Sequence, residues 1–159
     1  MKKTHYKQKV LVVEDDSSVL RALVDKLTRE EFTVFQAKNG EEGLATALRD
    51  CPDIILLDIL MPVMDGPTMM TKLRKKSSWG KKVPIILLTN LSTAEISVVK
   101  AVIEAEPAYY LVKSNWSMTD VVKKVREVLE NRSGLKLAKE IQNTVRKDLI
   151  QKKDCKLER

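Results

Sequence analysis

Histidine is nearly absent from this chain, and cysteine and aromatic residues are scarce. The one histidine, His5, lies in a polar leader without partner residues, which argues against a histidine-based catalyst or metal site. Cys51 and Cys155 stand far apart with no metal-ligand spacing around them, so two free thiols are expected. Aromatics make up 4% of the residues and apolar residues 43%, a composition that suits an aliphatic α/β core. No apolar run approaches the length of a membrane span, and the lysine-rich N-terminus lacks the apolar stretch of a signal peptide. A cytoplasmic protein without membrane contact is therefore expected. There is no internal repeat and no low-complexity segment.

What the chain does have is a series of short apolar runs that end on polar groups. Val10–Val13 ends in Glu14-Asp15-Asp16, and Ile54–Leu57 stops at Asp58 before Met61-Pro62-Val63-Met64-Asp65-Gly66. Further strands are expected at Phe32–Phe35, Val83–Leu88 and Tyr109–Val112. Helical spacing of Val19, Leu20, Leu23, Val24 and Leu27 follows the first strand, with Asp16 or Ser17 as its cap. Asn39-Gly40-Glu41-Glu42 opens a second helix, with Leu44, Ala45, Ala47 and Leu48 inward, and Cys51-Pro52 ends it. A third follows Gly66-Pro67. Ser92-x-x-Glu95 and Ser117-x-x-Asp120 read as capping boxes opening a fourth helix to about Ala105 and a fifth to about Glu130. Five repeats of strand then helix predict a (βα)5, doubly wound, parallel five-stranded sheet covered on both faces.

In such a sheet the C-terminal strand ends meet at the crevice where ligands bind. Those ends carry Glu14 and Asp15, Asp58, Thr89 and Lys113. Clustered carboxylates suit Mg²⁺, a hard cation that takes carboxylate, water and phosphate oxygens. Lys113 and Thr89 can contact phosphoryl oxygens, and an aspartate beside the metal can act as a nucleophile. Singly, each residue has a plainer reading as a turn former, a cap or a solvated strand end; Asp16 reads as a cap and Asp65 as turn chemistry. Their joint occurrence at successive strand ends is what points to phosphoryl chemistry.

The segments VLVVEDD, PDIILLDILMPVMDG, VPIILLTN and YYLVKS resemble the receiver domain of bacterial two-component response regulators, over residues 9–131. The resemblance implies a flavodoxin-like fold and a phosphorelay protein, not a turnover enzyme. It implies Asp58 as phosphoacceptor from a histidine kinase or phosphotransfer protein, Thr89 as switch hydroxyl, Lys113 as phosphoryl contact and Tyr110 as switch aromatic. It implies Mg²⁺ held by Glu14, Asp15 and Asp58 with the backbone carbonyl of Leu60. The face around 96–104 and 121–128, built from the fourth helix, fifth strand and fifth helix, is then the site for a downstream protein or a second copy. Three positions depart from the family pattern, one being Glu106 where a glycine commonly precedes the fifth strand. Ser114 replaces a proline usually preceded by a cis bond, which before serine would cost roughly 3 kcal/mol, so a trans bond is expected unless its surroundings hold it cis. Asn90 replaces a small residue after the threonine.

A haloacid-dehalogenase-type phosphatase shares the Asp, Thr, Lys and Mg²⁺ set, but it needs a second acid two residues after the nucleophile. That position is Leu60. Residues 1–8 form a polar leader, and 132–159 a basic tail expected to hold an extra C-terminal helix with a narrow stripe of Ala138, Ile141, Val145 and Leu149. From Gly134 to Arg159 eight Lys/Arg face four Asp/Glu. The tail is too short for a DNA-binding output domain and has no aromatic, so a solvated face is expected over a nucleic-acid site.

Overall fold

The computed structural model describes residues 6–90 and 109–132. The predicted fourth helix and tail helix, and the leader up to residue 5, lie outside them. Five strands are present: β1 (Lys9–Val13), β2 (Thr33–Ala37), β3 (Ile54–Asp58), β4 (Ile85–Thr89) and β5 (Tyr109–Val112). They form one parallel sheet in the order β2-β1-β3-β4-β5. This is the flavodoxin-type order of an open doubly wound sheet, and its direction reverses between β1 and β3. The predicted fold class is thereby borne out. β2 begins after Phe32, not on it, and β4 begins after Pro84, whose ring removes the N–H a ladder needs.

Helices α1 (Ser17–Arg29), α2 (Gly40–Asp50) and α3 (Gly66–Lys76) join the first four strands, and a further helix occupies 118–132. Asp16 caps α1, its side chain accepting from Ser18 N and Val19 N at 2.9 and 3.0 Å. Asn39 caps α2, accepting from Glu42 N at 2.9 Å, and Asp65 caps α3, accepting from Thr68 N at 2.7 Å. Ser117 and Asp120 form the reciprocal box the sequence suggests: Ser117 N donates to Asp120 Oδ2 at 2.7 Å and Asp120 N to Ser117 Oγ at 3.2 Å.

Side chains alternate across the strands. Leu11, Val13, Ile55, Leu57, Ile85 and Leu87 join Ala47, Met69, Met70 and Leu73 in one buried cluster, against which Trp79 packs. Val10, Val12, Ile54, Leu56, Ile86 and Leu88 are equally buried on the opposite side, and α1 buries Leu20, Leu23 and Leu27. α2 differs from expectation. It buries Gly40, Gly43, Thr46 and Ala47, while Ala45 and Leu48 are exposed. The reason is close approach: a Cβ on Gly43 would lie 2.9 Å from Met69 Sδ and from the Val13 methyls. The helix lies with its smallest residues downward, and the larger Leu48 turns outward.

The sheet, α1–α3 and the strand-end residues below belong to the compact unit Met1–Val125. No helix among the described residues is long and apolar enough to cross a membrane.

Candidate functional site

β1 and β3 each carry their apolar run straight into an acid at the C-terminal edge. Glu14, immediately after β1, is 1% exposed, and Asp58, the last residue of β3, is 6% exposed. Asp15 is exposed. One carboxylate oxygen from each of Glu14, Asp15 and Asp58 lies within 4.8 Å of the others. The chain can turn away so abruptly after β3 because of Gly66. A Cβ there would stand 2.2 Å from the Asp58 carbonyl oxygen, and Gly66 N donates to Ile59 O at 2.9 Å.

Both carboxylates are held. Glu14 Oε1 accepts from Asp16 N at 3.2 Å, and Glu14 Oε2 lies 2.7 Å from Lys113 Nζ. Asp58 Oδ1 accepts from Ile59 N at 2.8 Å and lies 3.4 Å from the same ammonium. Lys113 opens a single 3-10 turn directly after β5, which brings it to the edge where β1 and β3 end. No cis peptide occurs among the described residues, so the Lys113–Ser114 bond is trans, as expected before a serine. Burial pushes the Asp58 carboxyl up to about 7, and the Glu14 charge adds to the rise while Lys113 opposes it.

These groups line a cleft of about 280 Å³ with Asp16, Val19, Leu60 and Asn90. Leu60 is 57% exposed at its mouth. Asp16 spends its carboxylate on the α1 cap, as its sequence context suggests, and its backbone N–H on Glu14. Thr89 ends β4 beside Val112 of β5, and Tyr110 sits opposite Leu87. Nothing in the residue pattern signals the Ile59 N–H on Asp58. Nor does it reveal Val63, a β-branched residue at φ 68° in the loop after β3, where Met64 N donates back to Pro62 O at 2.8 Å. Met61, Met69 and Met70 are buried, and Met64 packs on the same core, so these four are packing residues.

Three carboxyl groups and one ammonium converge in the cleft, and they carry net negative charge once Asp58 ionises. Such a donor set fits a hard divalent cation. A family model of the response regulator receiver domain matches residues 10–126. The chain belongs to this family. The receiver is 39% identical over 124 residues to the transcriptional regulatory protein PrrA of Mycobacterium tuberculosis, covering 78% of this chain and 51% of PrrA. It is 46% identical over 83 residues to the response regulator PleD of Caulobacter vibrioides, covering 52% of this chain and 18% of PleD. Among solved structures, the chemotaxis response regulator CheY4 of Vibrio cholerae superposes with a TM-score of 0.69 at 28% identity, covering 77% of this chain and 99% of that one. The receiver spans about half the length of curated relatives such as PrrA. It is a response regulator domain of two-component signalling.

Proposed function

We propose that this receiver takes a phosphoryl group from the phosphohistidine of a histidine kinase or phosphotransfer protein onto Asp58. The observation that carries the proposal is a buried aspartate 3.4 Å from the Lys113 ammonium and clustered with two further carboxylates. An Asp58 oxygen attacks phosphorus, the P–O bond forms as the P–N bond breaks, and the leaving imidazole keeps the electron pair and takes a proton. Only ionised Asp58 can attack, so the proton it holds without a cation must leave first. Lys113 neutralises charge on the transferring phosphoryl group. Thr89 and Tyr110, on neighbouring strands, act as the switch pair that reports the modification.

Mg²⁺ fits the donor set, with Asp15, Asp58 and the Leu60 carbonyl as its direct holders. Glu14, in contact with Asp16 N–H and Lys113, would contribute its charge to the same cluster. When bound, the metal neutralises phosphoryl oxygens and favours the ionised carboxylate. The position of Leu60, two residues after Asp58, offers no acid for a leaving group, so the site accepts a phosphoryl group and does not turn over phosphomonoesters. Output passes to a downstream protein or a second copy through the face that includes β5 and residues 118–125 of the helix that follows. There, Lys124 Nζ sits 3.8 Å from the centre of the exposed Tyr109 ring.

Incubation with Mg²⁺ and acetyl phosphate, followed by intact mass, tests the reading. One added phosphoryl group is expected in the wild type and none in Asp58→Asn. An undiminished gain in the variant, or steady release of phosphate from a phosphomonoester, overturns it.

A further inference from the structure

Gly66–Asn90 contains six cationic residues and no acidic one. Arg74 is consumed within the fold, its Nη1 donating to the carbonyls of Gly80 and Val83, each at 2.7 Å. The loop between α3 and β4 is tightly built around it. A Cβ on Gly80 would meet the Leu73 carbonyl at 2.3 Å, and Gly80 N donates to Ser77 Oγ at 2.9 Å. Lys82 N and Val83 N both donate to Trp79 O, at 2.9 and 3.0 Å, and Trp79 itself packs on the core. Lys72, Lys75, Lys76, Lys81 and Lys82 remain exposed. Among the described residues none of these five enters an ion pair. Lys72, Lys75 and Lys76 share one helix face by their spacing of three and four. The loop precedes β4 and therefore lies at the N-terminal edge of the sheet, away from the edge that carries Asp58.

We propose that this lysine cluster binds the phosphate backbone of a duplex nucleic acid without reading its sequence. Five exposed ammonium groups with no acidic residue in the segment favour an anionic partner. The energy of a protein partner usually comes from exposed aromatic, aliphatic or arginine anchors. Here Trp79 and Arg74 are turned into the fold, and the exposed large hydrophobics (Tyr6, Leu48, Leu60, Val63 and Tyr109) all lie outside this segment. The loop holds no carboxamide or carboxylate to read adenine or cytosine and no free arginine, so its only base-reading groups are flexible lysines and serine hydroxyls. Phosphate binding needs only cations, because release of condensed counterions drives it. The rigid loop lowers the ordering cost of presenting them. The cluster is independent of the phosphoacceptor reading, and Asp58 stays open at the other edge.

The test uses the full chain and a fluorescently labelled 20-base-pair duplex of random sequence, with anisotropy followed from 50 to 200 mM salt. If five lysines each neutralise a phosphate, log K falls against log salt with a slope of about −4.5, a loss of roughly 500-fold over that range. Lys75→Gln with Lys76→Gln, and separately Lys81→Gln with Lys82→Gln, should each flatten the slope by about 1.8. These four positions are exposed, so the variants keep the fold, and their uptake of phosphate from acetyl phosphate should be unchanged. An unaltered slope in both pairs, with loss instead on removing charge at Lys152 and Lys153, overturns the proposal. So does tighter capture of labelled polyglutamate or of phosphatidylserine vesicles than of the duplex at equal ionic strength.

Discussion

Asp58→Asn should stabilise the metal-free receiver, and by an amount that depends on pH. The ordinary carboxyl value is 3.8, and burial together with Glu14 raises Asp58 to about 7 in the folded protein. A raised acid destabilises its fold as pH climbs: the folded state keeps a proton that the unfolded chain has already released. Stability is therefore fully present below about 4, falls between about 4 and 7, and is flat above that. The full span amounts to about 4 kcal/mol at one pK unit per 1.4 kcal/mol, with about 3 kcal/mol of it between pH 5 and pH 8. Asparagine keeps the shape and removes the titration. The gap between variant and wild type should widen across that window, reaching roughly 10 °C or more in melting temperature at pH 8. Parallel urea titrations at pH 5, 6.5 and 8, in EDTA, measure it. Adding Mg²⁺ should narrow the gap by favouring ionised Asp58. A gap that stays constant within about 0.5 kcal/mol from pH 5 to 8 refutes the claim that burial and Glu14 hold a proton on this carboxyl.

Lys113→Met removes the only ammonium that, among the described residues, lies against the buried Glu14 and Asp58, and should cost about 3 kcal/mol at pH 8 by denaturation. Combining it with Asp58→Asn should recover much of that loss, and a double mutant no more stable than the single would contradict the shared pairing. Val63→Gly relieves a left-handed β-branched residue that is 75% exposed, and should gain about 1 kcal/mol; a loss of stability would mean the side chain has unseen support. Gly43→Ala must push a methyl against Met69 and Val13 and should cost about 1–3 kcal/mol, read as a lower urea midpoint at unchanged slope.

The sheet was legible because its strands are buried on both faces and so read as unbroken aliphatic runs, from Val10–Val13 to Ile85–Leu88. Caps were legible for the same local reason: Asp16, Asn39 and Ser117 act within three residues of their own positions. The site was legible as residue types at strand ends, since strand order alone brings Glu14, Asp58 and Lys113 to one edge. What could not be read was anything set by close approach. The inward face of α2 is chosen by the space at Gly43, not by where its leucines fall. Val63 takes a left-handed φ that no propensity assigns to valine, and the Ile59 N–H on Asp58 depends on a turn that only Gly66 permits.

The electrostatic design of the cleft follows from which oxygens are already spoken for. Glu14 Oε1 accepts one backbone N–H and Oε2 lies 2.7 Å from the Lys113 ammonium, so its charge is held beside that cation. Lys113 sits nearer to Glu14 than to Asp58, 2.7 against 3.4 Å, so Asp58 is the less neutralised of the two buried acids. Asp15, exposed at the rim, is the carboxylate with water to exchange for a cation. The imbalance is costly to the resting fold by the same few kcal/mol that the pH dependence measures, and the aliphatic sheet beneath offsets it. A cation or phosphoryl group at Asp58 would redistribute the charge around Lys113, which directly follows β5.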